Sequence, residues 1–288
     1  MKSETVDAVD LVWDLTRERL TIGGALVLRQ EGEMLARMQG RSALTVHLIG
    51  PQSGRQAAEH MAHTIFGTST YPYQLVYAAE GAAGWPPAAV RAAPDFSYFS
   101  FSRTLALYAQ TGVKPRLQWR QSQQASALQA RRHFPGRLYC VHLRSVVPFA
   151  LEKSNADGAA WNAFFQRRAA AGQCDFLLIG DDPLPSGLKL RPGMTRVAGC
   201  QLGLNLATQL ALISVSDGFL GMASGLCTAA NFSETPHVIF KHPAHHAAEM
   251  VRELGTAEAF AFAGERQQLW RREADATVLD EAFHLISS

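Results

Sequence analysis

The sequence predicts an α/β protein of two doubly wound domains, each a parallel sheet with helices on both faces. Apolar runs of strand length alternate with segments of helical spacing along most of the chain. The 288 residues suffice for two modest domains that each bury a core. A polar, Gln- and Arg-rich stretch between Pro115 and Pro135 separates the two alternating runs. We therefore expect domains at residues 1–136 and 137–288.

In the first run, apolar segments of strand length alternate with amphipathic segments, and Gly50-Pro51 ends the second strand. The Ala-, Gly- and Pro-rich segment 81–94 predicts a surface loop. A helix that follows this loop ends near Gly112 and Pro115. The predicted elements are strands at residues 9–15, 43–49 and 73–77, and helices at residues 25–38, 55–65 and 102–110.

The second run repeats the alternation, and it follows a helical segment at residues 123–132. Asp157 is an expected N-cap. The remainder, 244–288, is predicted to be mainly helical, with Trp270 and Phe283 as buried anchors. The predicted elements are strands at residues 138–143, 175–179, 195–198, 218–220 and 237–240, and helices at residues 157–170, 205–213 and 225–231.

Composition restricts the class of protein. Hydrophobic residues make up 47% of the chain and charged residues 18%, which is typical of a compact globular fold, and a net charge of +2 argues against nucleic acid as a partner. The sequence shows neither a secretory leader nor an apolar run of membrane-spanning length. We expect a cytoplasmic protein, with any membrane contact peripheral and on the inner face. The widely spaced cysteines fit buried thiols in a reducing compartment: Cys140, Cys174, Cys200 and Cys227.

Several common α/β chemistries lack their motifs. No G-x-x-x-x-G-K-[ST] loop is present, and no G-x-G-x-x-G follows a strand. Ser224 is not in the G-x-S-x-G register of a hydrolase nucleophile. The side chains of His242, His245, His246 and Glu249 could ligate a metal. A solvated turn explains the same residues, and we expect no metal site.

The segment from Gly221 to Gly225 is the most informative part of the chain. It follows a short apolar strand and precedes a helix, so it places backbone N–H groups and the positive end of a helix dipole at the carboxyl edge of a parallel sheet. A phosphate group is the natural ligand of such a turn. Tight packing of a helix on the sheet would require the same small residues, and the pattern alone does not separate the two.

This segment also resembles a known family. A helix ending in Leu-Ile, then Asp217, a short apolar strand, Gly221 and Ser224-Gly225 resemble the C-terminal signature of GT-B glycosyltransferases, which bacterial heptosyltransferases and NodZ-type fucosyltransferases show. The resemblance covers about residues 138–245. It implies a GT-B arrangement of two Rossmann-like domains, with a short N-terminal acceptor domain and a C-terminal domain that binds the nucleotide-sugar donor. It also implies that Asp217, Gly221, Ser224 and Gly225 bind the donor.

Two strand ends strengthen the resemblance. The segment with His142 and Arg144 is similar to the His-x-Arg strand end of the fucosyltransferase group, where the arginine meets the nucleotide diphosphate. The strand ending at Asp181 resembles the next step of the same fold. The resemblance therefore implies that His142, Arg144 and Asp181 bind substrate. A guanidinium can clamp phosphate oxygens and offset leaving-group charge without a metal, so Arg144 is also a catalytic candidate, and its alternative role is a surface ion pair.

The sequence gives weaker evidence for the residues that would bind and deprotonate the acceptor. An inverting transferase needs a carboxylate or imidazole to take the proton of the acceptor hydroxyl. Asp14 is the best-placed candidate, although it could instead cap or stabilise its loop; Glu80 and Asp95 are the alternatives. The loops implied to face the acceptor lie at residues 14–24, 50–55 and 81–94.

The function implied is transfer of a hexose or heptose from a nucleoside-diphosphate sugar to a glycan or lipid-linked acceptor. Such a reaction belongs to polysaccharide or glycoconjugate biosynthesis, and no cofactor or metal is expected. A nucleotide-sugar epimerase is one alternative, because it can share the architecture and the donor pocket. A non-catalytic GT-B-like subunit that binds a nucleotide sugar or a partner enzyme is the other.

Overall fold

The computed structural model describes residues 7–17, 19–79, 101–146, 154–172, 174–197 and 204–288. The chain forms two compact units, residues 1–120 and 121–288, and the sheet in each unit is parallel. The predicted α/β class is therefore confirmed. Within the described residues, no helix has the length and apolar character needed to cross a bilayer.

The first unit has a parallel sheet in the order β1-β2-β3, with β1 and β3 both paired to β2. Thr21 caps the first helix, because its side chain accepts a hydrogen bond from the Gly24 N–H, and Gly40 ends that helix at φ 66°. The elements are β1 (Ala8–Asp14), α1 (Ile22–Gln39), β2 (Ala43–Gly50), α2 (Arg55–Phe66), β3 (Tyr73–Ala79) and α3 (Ser102–Thr111).

A buried ion pair holds the first unit together. Arg29 and Glu33 on α1 are both fully buried, and the Arg29 Nε lies 2.6 Å from Glu33 Oε1. Arg29 also donates to the Thr68 hydroxyl at 2.5 Å and to the Gln118 carbonyl. Glu33 accepts from the Ser69 hydroxyl at 2.6 Å. The pair therefore ties α1 to the chain after α2 and to the segment that ends this unit.

The second unit begins with α4, which packs on α6, so the chain divides after Arg120 and not within the loop at residue 136. The polar stretch around Gln121 has the composition of a linker, but Ala127 and Ala130 are buried. The elements are α4 (Gln121–Arg131), β4 (Arg137–His142), α5 (Gly158–Ala171), β5 (Cys174–Leu178), β6 (Met194–Arg196), α6 (Leu206–Ile213), β7 (Gly218–Met222), α7 (Cys227–Asn231), β8 (His237–Phe240), α8 (Ala247–Leu254), β9 (Gln267–Trp270) and α9 (Ala276–Ser287).

The six strands of the second unit are parallel and lie in the order β6-β5-β4-β7-β8-β9. The chain moves outward from β4 to β6, returns, and starts again on the other side of β4 with β7. In doubly wound sheets this reversal is the topological switch point, and ligands bind outside the carboxyl ends of the strands there. The fold therefore marks the carboxyl ends of β4 and β7 as the place to look for a site.

From the sequence we expected the chain after residue 244 to be mainly helical, and this prediction is wrong for part of it. Residues Gln267–Trp270 form β9 and extend the sheet beside β8. Four residues that begin with two glutamines carry too short a pattern to indicate a strand, and pairing with β8 decides their conformation. The two predicted anchors are confirmed, because Trp270 is 5% exposed and Phe283 is 8% exposed.

Aromatic residues fill the core between the sheet and the helices α5 and α9. Trp161 and Phe164 on α5 are fully buried. The Phe283 ring of α9 lies 4.8 Å from the Tyr139 ring of β4. This packing places the first residues of α5 and α9 near the carboxyl ends of the strands. Cys140 is buried in the same sheet, and burial raises the pKa of its thiol to about 12. Cys200 lies outside the described residues.

Replacing Glu33 with Ala should lower the free energy of unfolding by about 3–5 kcal/mol, because Arg29 would stay buried without its carboxylate. Glu59→Ala is the matched control, since Glu59 forms the same i,i+4 pair with Arg55 on an exposed helix surface. That change should cost less than about 0.5 kcal/mol. Urea unfolding of both variants measures the difference. Equal, small effects would show that the buried pair does not hold this unit together.

Candidate functional site

The candidate site lies at the carboxyl ends of β4 and β7, the switch point of the second sheet. Cα partners in the two strands include His142 and Gly221. A Cβ at position 221 would lie 2.9 Å from the His142 carbonyl oxygen and 3.2 Å from the His142 Cβ. Only glycine lets the two strand ends approach this closely. Gly221 thus serves packing, which was the alternative role that the sequence left open for this segment.

His142 is buried, with 3% of its surface exposed, and it points toward the end of β5. Its Nδ1 lies 3.2 Å from the Ile179 carbonyl oxygen, so Nδ1 must carry a proton and donate it. Burial is the main cause that lowers the pKa of the ring, which is therefore neutral. Among the described residues, the buried Nε2 has no hydrogen-bond partner. It can accept a hydrogen bond from a ligand.

Gly180 completes the surroundings of His142. It has φ 91°, a conformation that favours glycine, and a Cβ there would lie 3.0 Å from the His142 Nδ1. Its N–H donates to the Gln209 side chain at 2.9 Å. Because Gly180 has no side chain, the chain after β5 can lie close to the His142 imidazole.

Arg144 lies two residues beyond the end of β4 and is partly buried. Its Nη1 lies 3.4 Å from the Ala223 carbonyl oxygen, directly before Ser224 and Gly225. The predicted proximity of this turn to the strand carrying Arg144 is confirmed. Within the described part of the chain, Arg144 joins no ion pair, and its Nε has no hydrogen-bond partner. The surface ion pair that we weighed against a binding role is not present there.

The turn after β7 leads into a short helix. The helix α7 has five residues, and no side chain caps its N-terminus. The Ser224 Oγ lies 3.7 Å from the Cys227 sulfur, and the Cys227 thiol donates to the Met222 carbonyl at 3.0 Å. Burial raises the pKa of Cys227 to about 11, so this thiol stays protonated. The N–H groups of Thr228 and Ala229 already donate to the Gly225 and Leu226 carbonyls, so the Ser224 hydroxyl is the donor of this turn that a phosphate would use.

The structure adds Lys241, which we did not predict from the sequence. Lys241 directly follows β8 and is 6% exposed, and its backbone N–H donates to the Trp270 carbonyl at 2.9 Å. Burial lowers the pKa of its ammonium to about 8, and Arg144 lowers it further, while Glu253 and Glu249 oppose the shift. Lys241 and Arg144 are therefore close enough to interact electrostatically. A lysine directly after a buried apolar strand was the signal available in the sequence.

Two histidines lie beside these cations. Burial lowers the pKa of His245 to about 4, and repulsion from His246, Lys241 and Arg144 lowers it in addition. The His246 pKa is lowered for the same reasons. The two rings are 4.2 Å apart, and His246 has φ 54°, which is rare outside glycine. We call Arg144, Lys241, His245 and His246 the basic cluster.

The histidines do not form a metal centre with their neighbours. In the part of the chain that the structure describes, no three His, Cys, Asp or Glu side chains come together as metal ligands. His242 instead lies 4.0 Å from the Glu273 carboxylate.

Asp217 lies at the opposite edge of the sheet, and its position argues against the predicted contact with a donor. Its carboxylate accepts from Arg131 at 2.8 Å and from the Leu138 N–H at 2.8 Å. Leu138 lies at the amino end of β4 and Arg131 ends the helix α4 before it, whereas Ser224 follows the carboxyl end of β7. The Asp217 backbone N–H also donates to the Leu138 carbonyl at 2.8 Å. Asp217 therefore has a structural role, which sequence order alone could not distinguish from binding.

Asp181 is exposed at the end of β5. The neighbouring Asp182 makes the structural contact, because its carboxylate accepts from the Ser145 N–H at 3.2 Å. This bond joins the β5 end to the residue after Arg144.

In the first unit, Asp14 ends β1. Its Oδ1 accepts from the Thr16 N–H at 3.0 Å and from the Thr16 hydroxyl at 2.6 Å. Asp14 thus stabilises its own loop, which is the alternative role that we stated for it. The other acceptor-side candidates, Glu80, Asp95 and the loop at residues 81–94, lie outside the described residues.

Comparisons with known proteins bear on the fold. A scan of protein-family models and a sequence search of curated proteins found no match. A solved glycosyl transferase of family 9 from Veillonella parvula is similar with a TM-score of 0.55 and 9% identity, covering 93% of this chain and 86% of that one. The E. coli heptosyltransferase WaaC, solved with ADP-2-deoxy-2-fluoro heptose, has a TM-score of 0.50 and 12% identity, covering 96% and 99%.

The iron-containing dodecameric glycosyltransferase TibC from enterotoxigenic E. coli matches at a TM-score of 0.45 and 16% identity, over 81% of this chain and 57% of that one. This chain thus spans little more than half the length of TibC. The two higher-scoring structures share only 9% and 12% sequence identity with this chain, so the similarity shows the fold alone. The predicted resemblance to heptosyltransferases and other glycosyltransferases is confirmed at the level of the fold.

The pKa of His245 predicts how stability depends on pH. An unfolded histidine takes up a proton near 6.5, whereas folded His245 does so near 4. Between these values the unfolded state binds more protons, so stability should fall as the pH is lowered from 6.5 to 4. In His245→Asn this loss should be smaller, by about 2–4 °C in melting temperature between pH 7 and pH 5.

The matched control is His133→Asn, since His133 is exposed on the same unit. Thermal melts of the wild type and both variants at pH 7, 6 and 5 provide the measurement. If His245→Asn followed the wild-type pH profile, the environment of His245 would not suppress its protonation.

Proposed function

We propose that the protein is a glycosyltransferase that moves a sugar from a nucleoside-diphosphate sugar to a glycan or lipid-linked acceptor. The observation that carries the proposal is the position of Arg144. It lies at the switch point between β4 and β7, contacts the turn before Ser224, and joins no ion pair among the described residues. A doubly wound sheet that places a cation there is suited to an anionic ligand. The fold likeness to glycosyltransferases supports the same conclusion.

The donor diphosphate would bind the basic cluster and the Ser224 turn. Arg144 offers a planar fork to two phosphate oxygens, and Lys241 adds a desolvated ammonium. Their charge is held in place before the reaction, so little reorganisation is needed. The neutral His142 would accept a hydrogen bond at Nε2 from an N–H or O–H group of the donor. The exposed Asp181 carboxylate, which follows Gly180, would be a further acceptor.

During transfer, an acceptor oxygen forms a bond to the anomeric carbon, and the bond from that carbon to the diphosphate oxygen breaks. The leaving nucleoside diphosphate keeps the electron pair and gains negative charge. Arg144 and Lys241 stabilise this charge more strongly in the transition state than in the bound donor, which is how they would accelerate the reaction. These two cations would supply the neutralisation, so the proposal needs no metal.

The acceptor hydroxyl must lose a proton as it attacks. A carboxylate or imidazole must accept this proton. Asp14 is the candidate that the sequence suggested, and we keep it as a proposal. The proton transfer converts the acceptor alcohol into the new glycosidic ether and leaves the base protonated.

A thermal-shift panel with UDP, GDP, ADP and CMP identifies the donor nucleotide, because a ligand that binds only the folded state raises its melting temperature. Product analysis with the cognate sugar nucleotide then tests activity. Transfer to a glycan or lipid-linked acceptor supports the proposal. Conversion of the donor without an acceptor would show an epimerase, and binding without turnover would show a non-catalytic subunit.

Replacing Arg144 with Ala should weaken nucleoside-diphosphate binding by about 1.5–3 kcal/mol, since a charge-assisted hydrogen bond is lost. Arg144→Lys should recover part of this, because an ammonium lacks the planar fork. Arg137→Ala is the matched control, as Arg137 begins the same strand at the other edge and donates to the Ser287 carbonyl. Calorimetric titration measures the affinities, and melts check the fold. Unchanged affinity in Arg144→Ala would overturn the proposal.

The lowered pKa of Lys241 predicts that nucleoside-diphosphate binding depends on pH. Because its pKa is about 8, the ammonium is present below that pH and is lost above it. Diphosphate affinity should therefore decrease as the pH rises through 8, and Lys241→Met should weaken binding about tenfold at pH 7 and flatten the profile. Met preserves most of the buried volume. Lys189→Met, an exposed lysine on the same unit, is the control. If Lys241→Met bound the nucleoside diphosphate with the same pH dependence as the wild type, Lys241 would not be part of the site.

A further inference from the structure

A second feature of the second unit is a cavity of about 450 Å³ at the carboxyl edge of the sheet. This volume is in the range that small ligands occupy. It opens between the ends of β7, β8 and β9 and the first residues of α5 and α9. Its lining combines charged side chains with a few apolar ones: Asn155, Ala156, Asp157, Met222, His242, Arg272, Glu273, Ala274 and Asp275.

The cavity adjoins the basic cluster through backbone connections. Ala156, which lines the cavity, donates its N–H to the Arg144 carbonyl at 2.8 Å. Met222 precedes Ala223, whose carbonyl accepts from Arg144. His242 directly follows Lys241. A ligand whose diphosphate binds Arg144 and Lys241 could therefore extend its next group into this cavity.

Carboxylates dominate the charged lining of the cavity. Asp157 and Asp275 are the N-caps of α5 and α9, and in each the Oδ1 accepts two backbone N–H groups at 2.8–3.2 Å. No hydrogen bond among the described residues uses the second oxygen of either side chain. Glu273 is 86% exposed. A carboxylate only accepts hydrogen bonds, so this lining suits a group rich in hydroxyl donors.

The cavity does not suit a flat nucleobase. The described residues that line it include no Phe, Tyr or Trp, and the Arg272 guanidinium lies 3.8 Å from the centre of the Trp270 ring, on the strand that leads to the cavity. Arg272 in turn donates to Glu281 at 3.3 Å. An additional negative charge in the ligand would meet three carboxylates, Asp157, Glu273 and Asp275, and like charges repel. Arg272, the one arginine among the described lining residues, is already paired with Glu281.

We propose that this cavity receives the sugar group of the donor and that its carboxylates restrict this group to neutral or amino sugars, excluding uronic acids. The inference rests on the proposed function and adds the class of sugar. The sugar hydroxyls would donate to the second oxygens of Asp157 and Asp275. Glu273 would repel a sugar carboxylate at the entrance.

The test compares a nucleoside diphosphate with two of its sugar conjugates, UDP-glucose and UDP-glucuronate, or the corresponding set on the base that the thermal-shift panel selects. Calorimetry measures each affinity for the wild type, Asp157→Asn/Asp275→Asn and Glu273→Gln. Asn is as good an N-cap as Asp, so the double variant should fold. Asp280→Asn, on α9 and outside the cavity, is the control.

We expect the wild type to bind the neutral sugar nucleotide about tenfold more tightly than the uronate. The double variant and Glu273→Gln should each reduce this ratio about threefold, with the affinity for the nucleoside diphosphate alone unchanged. Equal affinity for the two conjugates in the wild type would overturn the inference and leave the proposed function standing. Loss of nucleoside-diphosphate affinity in the double variant would assign the cavity to the nucleoside and would also overturn it. Failure of every nucleotide to bind would overturn both proposals.

Discussion

The parallel pairing of β4 with β7 is the constraint on which the second unit depends. At the amino edge, Asp217 and Leu138 exchange hydrogen bonds of 2.8 Å through both backbone and side chain. At the carboxyl edge, Gly221 lets the His142 backbone approach to a distance that no other residue permits. The two contacts set the register of the strands from both ends. Because the sheet reverses at this pair, the same register positions Arg144 against the turn before Ser224.

Buried cations have different surroundings in the two units. In the first unit, the Arg29 guanidinium is fully buried but paired with Glu33 and further hydrogen-bonded, so its charge serves the structure. In the second unit, Arg144 joins no ion pair among the described residues, and burial depresses the pKa of Lys241. Arg144 lowers the pKa of Lys241 further, whereas Glu253 and Glu249 raise it. The charged groups at this edge of the second sheet therefore act on one another, whereas the buried pair of the first unit is closed on itself.

The N-terminal ends of α5 and α9 explain why a cavity rich in hydrogen-bond acceptors lies next to Arg144 and Lys241. Asp157 and Asp275 are needed to cap α5 and α9, since the first N–H groups of a helix lack partners within it. The aromatic packing of α5 and α9 on the sheet fixes where these caps lie. Two residues that cap helices are thereby also part of the cavity lining.

The sequence by itself determined the alternation of strands and helices and the residues that end the central strands, including His142, Arg144 and the turn at Ser224. Local periodicity, glycines and caps carry that information because they depend on neighbours along the chain. The strand β9 and the buried state of Lys241 depend on pairing with distant residues, and only the tertiary structure decided them. It also separated Asp217 from Ser224, seven residues apart in sequence, because a strand between them carries one to each edge of the sheet.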